Sequence, residues 1–110
     1  MRTHKHGIDH AMIRRLVESN TPVAEVDALL ECHVEPRPGG LSPDRARLRG
    51  PGVSVWVVIA DLDATGGDIK QVMSDYDLSA DEVDAAIHYY LRNPELIEAR
   101  ITLNEAGYSG

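Results

Sequence analysis

Apolar residues recur at helical spacing along most of the chain. Ile8, Met12 and Leu16, with Ile13 and Val17 beside them, keep i, i+4 intervals and predict a helix from about Asp9 to Ser19, with Arg14, Arg15 and Glu18 on its polar face. Thr21-Pro22 supplies an N-cap followed by proline at the first helical position. Val23, Val26, Leu29 and Leu30 then form the stripe of a second helix ending near Glu31 or Cys32. Glu35-Pro36-Arg37-Pro38-Gly39-Gly40 stops it and separates this helical hairpin from the rest.

From Asp44 to Gly50 the period changes to two. Arg45, Arg47 and Arg49 alternate with Ala46 and Leu48, which predicts a short strand or arm with the arginines on one side. Val53 to Ala60 is nearly continuous and β-branched, a composition that favours a buried strand. Ser54 as N-cap, the spacing of Val55, Val58, Ile59 and Leu62, and the glycines at 66 and 67 favour a helix instead, and a helix is expected here. Asp68 to Tyr76 is a short helix with Ile69, Val72, Met73 and Tyr76 turned inward. Ser79-Ala80-Asp81-Glu82 is a capping box opening a further helix with Val83, Ala86, Ile87, Tyr90 and Leu91 as its stripe. Asn93-Pro94 stops that helix and starts a last one, in which Leu96, Ile97 and Ile101 share a face. A weak echo relates Met12, Ile13, Leu16, Val23 and Val26 to Val58, Ile59, Leu62, Ile69 and Val72 at constant offset, and predicts two related helix-turn-helix hairpins.

The predicted fold is therefore mainly α: a small helix-turn-helix-like helical bundle with a short extended Arg-rich arm and an N-terminal helical hairpin. The hairpin occupies residues 1–38, the arm 39–53, the tri-helical core with its C-terminal helix 54–103, and a flexible tail 104–110. Hydrophobic residues make up 43% of the chain, but there is no Phe and one Trp, so the core must be aliphatic. A chain of this size buries only about 60–70% of its unfolded surface. Dimerisation or a partner is expected to supplement so thin a core.

Charge divides the chain. Residues 1–50 hold eight Lys or Arg against seven acids, and residues 51–110 hold three against eleven, within a net charge of −7. The acidic half repels phosphate, so any nucleic-acid contact is expected from the N-terminal half, while the acidic half suits a basic protein partner. The lone Cys32 excludes an intrachain disulfide, and no apolar run is long enough for a signal peptide or a membrane span. A cytoplasmic protein that does not enter membranes is the expectation.

Chemistry-bearing constellations are few. His4, His6 and His10 lack the spacing of metal ligands, and Cys32-His33, adjacent in the chain, do not point at each other as a nucleophile and its base would. No enzyme activity, catalytic residue, metal or cofactor is expected. Arg45, Arg47 and Arg49 are the candidates for DNA phosphates. Their alternatives are a charged edge strand guarded against aggregation, or pairing with acids across an interface. The helix after Ser79 is expected to expose Asp81, Asp84, Ala85, His88 and Arg92. Three acids at its start make it a poor groove reader and point its surface, with Tyr89, toward a protein partner.

The order Arg49-Gly50-Pro51-Gly52-Val53-Ser54-Val55-Trp56, then Gly66-Gly67-Asp68-Ile69, then Tyr76-Asp77-Leu78-Ser79 and Glu82-Val83-Asp84-Ala85-Ala86-Ile87-His88-Tyr89-Tyr90, resembles the domain-of-unknown-function family DUF433 over about residues 39–91. Where that family carries Thr-Arg and Pro, this chain has Pro51-Gly52 and Ser54. The resemblance implies a helix-turn-helix-like core and an antitoxin of the VapB type, paired with a PIN-like ribonuclease toxin. On that reading the protein is a cytoplasmic homodimer that neutralises the toxin through Asp81, Asp84, His88, Tyr89 and Arg92 and can autoregulate its operon through the Arg arm. A DNA-binding transcriptional regulator using the hairpin or the arm, and a non-enzymatic adaptor subunit of a larger complex, are the alternatives.

Overall fold

The computed structural model describes residues 7–105. Residues 1–6, with His4 and His6, and residues 106–110 of the expected tail lie outside the described residues. The elements run α1 (His10–Arg14), α2 (Val23–His33), β1 (Val34–Glu35), two 3-10 turns (Pro38–Gly40 and Pro43–Arg45), β2 (Arg47–Leu48), α3 (Val55–Ala64), α4 (Ile69–Tyr76), α5 (Ala80–Arg92) and α6 (Pro94–Glu105). The fold is mainly α, and its two short strands pair antiparallel with Val34 opposite Leu48 and Glu35 opposite Arg47.

Local signals place the helix starts. Asp9 caps α1 by accepting from the Met12 amide, Asp68 caps α4 by accepting from Gln71, and Ser79 and Glu82 form both bonds of the capping box at α5. The end of α3 is a Schellman turn: Gly66 N donates to Asp63 O and Gly67 N to Leu62 O, with φ of 70° and 90° at the two glycines. The ambiguous run after Val53 is helical. Its first residues remain extended, since Leu48 N donates to Val53 O and Val55 N to Ala46 O. The helix then buries Val55, Val58, Ile59 and Leu62 completely.

Several boundaries differ from those expected. Helix α1 stops at Arg14, where the pattern predicted Ser19. Leu16 instead sits in the following turn, close against the backbone of Gly67. Pro22 is the cap of α2 rather than its first residue, and α2 runs on to His33 because β1 follows directly. The expected strand over Asp44–Gly50 shrinks to Arg47–Leu48, with Arg45 closing a 3-10 turn. The paired hairpins of the internal echo are unlike: α1 is half as long as α3, and the connections span 15–22 in one and 65–68 in the other.

Helix α5 is the centre of the molecule, touching α1, α2, α3, α4, α6 and β1. One cluster joins Ile13, Val34, Leu48, Ile59, Val72, Ile87, Tyr90 and Ile97. The N-terminal hairpin thus contributes to the same core as the segment that follows. Among the described residues no helix is long and apolar enough to cross a membrane.

Candidate nucleic-acid interface

The chain between the strands and α3 folds back tightly. Ala46 and Leu48 are buried against the core, so Arg47 between them must face outward. Arg45 and Arg47 open onto a cleft of about 500 Å³ walled by Ser54, which precedes α3, by Trp56 of α3 and by Arg100 of α6. Three guanidinium groups and the chain's single indole therefore meet in one place.

Their charges are differently engaged. Arg100 is mostly buried and clasps Asp44 Oδ2 through Nε at 2.9 Å and Nη2 at 2.8 Å. Burial alone would raise the Asp44 carboxyl, but the Ser42 hydroxyl and the Arg100 guanidinium outweigh it and hold Asp44 below the usual carboxylate range. Arg47 Nε lies 3.1 Å from Glu35 Oε1 with about half of its side chain exposed. Among the described residues Arg45 has no acidic partner within ion-pair distance. The cleft thus has a fixed cation at its base, a loosely held one at its rim and one available for an anion.

Arg49 does not join them. After Leu48 the chain turns, with Gly52 N donating to Leu48 O. Arg49 is carried to another cleft, where its Nε donates to Glu31 O at 3.1 Å beside Tyr89 and Arg92. The row expected on one face is split because alternation holds only while the strand continues. Trp56 and Arg100 were not singled out from the sequence. Arg100 lies some fifty residues from Arg47 in the chain, and no local pattern links them.

The expected protein-binding face of α5 needs correction. His88 is 8% and Tyr89 7% exposed, and Ala85 is fully buried, because α2 and β1 cover the side of α5 that was read as outward. The Tyr89 hydroxyl donates to Pro43 O at 2.9 Å, which makes it a brace for the 3-10 turn below Arg45. Asp81 is exposed, Asp84 half-buried, and Arg92 pairs with Asp27 across α2 at 2.7 Å. Burial raises the Asp84 carboxyl, with Asp81 and Glu18 adding to the effect and His88 opposing it. His10 sits against the core, its Nδ1 3.1 Å from the Tyr90 hydroxyl, and among the described residues no group of three or more His, Cys, Asp or Glu could hold a metal ion.

Residues 44–90, from the turn beneath the cleft to the last turn of α5, match the family model described as Protein of unknown function (DUF433). This segment is a DUF433 domain. It contains Arg45, Arg47 and Trp56, whereas Arg100 and the N-terminal hairpin lie outside it. No curated protein and no solved structure matches the chain. The cleft is completed by a helix that follows the segment matched by the DUF433 model.

Proposed function

We propose that the protein is a non-catalytic regulator of the antitoxin type, which contacts nucleic-acid phosphates through the Arg45–Arg47–Arg100 cleft. The observation that carries this reading is the gathering of three arginines and Trp56 in a chain whose net charge is −7. Guanidinium groups pair with phosphate oxygens, and an indole offers a face on which an unstacked base can rest. The acidity elsewhere repels the polymer and so orients the protein on it. The acidic remainder, with Asp81 at the start of α5, suits a basic protein, and a PIN-like ribonuclease is the partner proposed for it.

Fluorescence anisotropy on duplex DNA from upstream of the gene, across a salt series, tests the cleft. The Arg45→Ala, Arg47→Ala double variant is expected to weaken binding and to reduce the slope of log K against log salt by about 2, roughly one per lost phosphate contact. Unchanged affinity and slope would overturn the reading. Co-expression with the neighbouring gene's product tests the partner. Complex formation and rescue from toxicity are expected, and the absence of both would reject the antitoxin role while leaving the cleft to be judged by the anisotropy.

A further inference from the structure

Two pairs of histidine and arginine, each one helical turn apart, meet across a cavity that shares no lining residue with the arginine cleft. His10 and Arg14 stand on α1, His88 and Arg92 on α5, and all four line a hollow of about 270 Å³ between the N-terminal hairpin and α5. Val26 of α2 and Leu91 of α5 supply apolar wall. The volume falls just under the about 300–1,000 Å³ usual for sites of drug-sized molecules, so it suits a smaller one.

Donors in this lining are left over. His88 is only 8% exposed, makes no hydrogen bond among the described residues, and has neither ring nitrogen sealed from solvent. What remains open of the ring opens on the cavity it lines. An imidazole carries an N–H in either charge state, so α5 presents there a donor with nothing to receive it, and an acceptor entering the cavity relieves that cost. Arg14, exposed at the end of α1, has no acid within ion-pair distance among the described residues. Arg92 pairs with Asp27 at 2.7 Å, but a single carboxylate does not use up the N–H groups of a guanidinium. His10 is already engaged, because the Tyr90 hydroxyl gives its hydrogen to Glu98 and so accepts from His10 Nδ1. Exposed Glu18 lines the cavity too. Its charge opposes a polyanionic strand, whereas a compact anion with its charge on one group can stay beside the arginines.

We infer that this cavity binds the carboxylate or phosphate group of a small metabolite, with Arg14, His88 and Arg92 as its donors. The planar guanidinium fork matches either oxyanion. Most of the lining comes from residues 10–26, so the bound anion ties the N-terminal hairpin to α5. The site stands whether or not the arginine cleft holds nucleic acid.

The test follows imidazole resonances of the full chain by two-dimensional NMR while inorganic phosphate or, separately, acetate is added at fixed pH and constant ionic strength. With at least one of the two probes His88 and His10 should shift along a saturating curve, while His33, the last residue of α2 and outside the cavity, stays still. Saturation by phosphate, by acetate or by both assigns the group. Arg14→Gln, a change to an exposed side chain, should weaken binding about tenfold or more, the worth of a charge-assisted bond. Arg15→Gln, next to it but outside the lining, should leave binding unchanged. His88→Leu, followed at His10, should weaken binding as much as Arg14→Gln. No saturating shift with either anion, an equal shift at His33, or an Arg14→Gln or folded His88→Leu variant that titrates like wild type would each overturn the inference. The Arg14→Gln arm keeps the test decisive if His88→Leu fails to fold.

Discussion

At the scale of single residues, backbone conformation and partner-poor carboxyls set the constraints. Gly67 has φ of +90°, and a Cβ there would meet Met12 Sδ at 2.8 Å and Leu16 Cδ2 at 3.2 Å. The glycine serves the Schellman turn and also lets the chain before α2 lie against it. Gly67→Ala is therefore expected to lower stability by about 1–3 kcal/mol, read by urea denaturation, because it combines a left-handed backbone with a tight contact. Asp77, with φ of 56°, takes the same conformation at the end of α4 at smaller cost, since Asp is among the residues that tolerate it. The Asp61 carboxyl, raised by burial and then by Asp75, should titrate at lower pH in Asp75→Asn, which keeps an acceptor for the Gln71 amide but removes the charge. Carboxyl carbon shifts followed by NMR would show it. An unmoved Asp61 titration would leave burial as the whole cause.

Among the elements, α5 carries the heaviest structural duty. Its start is secured by the reciprocal bonds of Ser79 and Glu82, with Glu82 N donating to Ser79 Oγ at 3.1 Å and Ser79 N to Glu82 Oε1 at 2.9 Å. Ser79→Ala should cost about 1 kcal/mol in chemical denaturation, the usual loss for a helix cap. That loss is expected to spread to the other five helices and β1, because they all pack on α5. Tyr90, fully buried, ties three helices together. Its hydroxyl donates to Glu98 of α6 and meets His10 of α1, and burial followed by the Glu98 carboxylate pushes its ionisation well above the ordinary range. Tyr90→Phe should destabilise the protein by about 1–2 kcal/mol without loss of helix content, since the ring still fills the core while the bonds are lost. A fall in circular dichroism in place of a shifted midpoint would contradict that separation.

For the whole molecule, the ion pair of Asp44 and Arg100 joins the first turn of the family segment to the helix beyond its end. Asp44 ionises more readily in the folded protein than at its ordinary value of 3.8. Its stabilising effect is therefore complete above that value and is lost as pH falls through the lowered one. Arg100→Ala should cost about 1.5–3 kcal/mol at neutral pH, the worth of a charge-assisted bond, and the gap to wild type should narrow as acidity passes below that range. Urea denaturation at several pH values measures it. The same substitution removes the cation at the base of the cleft, so its effect on phosphate binding must be read at temperatures where both proteins are folded.

The sequence by itself determined most of the helices of this protein and the capped start of α5 through spacing and capping residues, the placing of Ala46 and Leu48 on the side away from Arg47 through alternation, and the likeness of the middle segment to DUF433 through its motifs. Each of these depends on residues a few positions apart, where spacing and capping chemistry act directly. The outward or inward sense of α5 was decided only by the tertiary structure. Its Val83–Ile87–Tyr90 stripe identified one buried face, but α2 and β1 cover the other, and nothing in the local pattern of Ala85, His88 and Tyr89 reports a neighbour that arrives from residues 23–35. The division of the arginines was likewise settled by the turn after Leu48, which separates Arg49 from Arg45 and Arg47, and by α6, which brings Arg100 to them. A side chain's surroundings depend on segments distant in the chain, and those segments meet only when the core that α5 organises has closed.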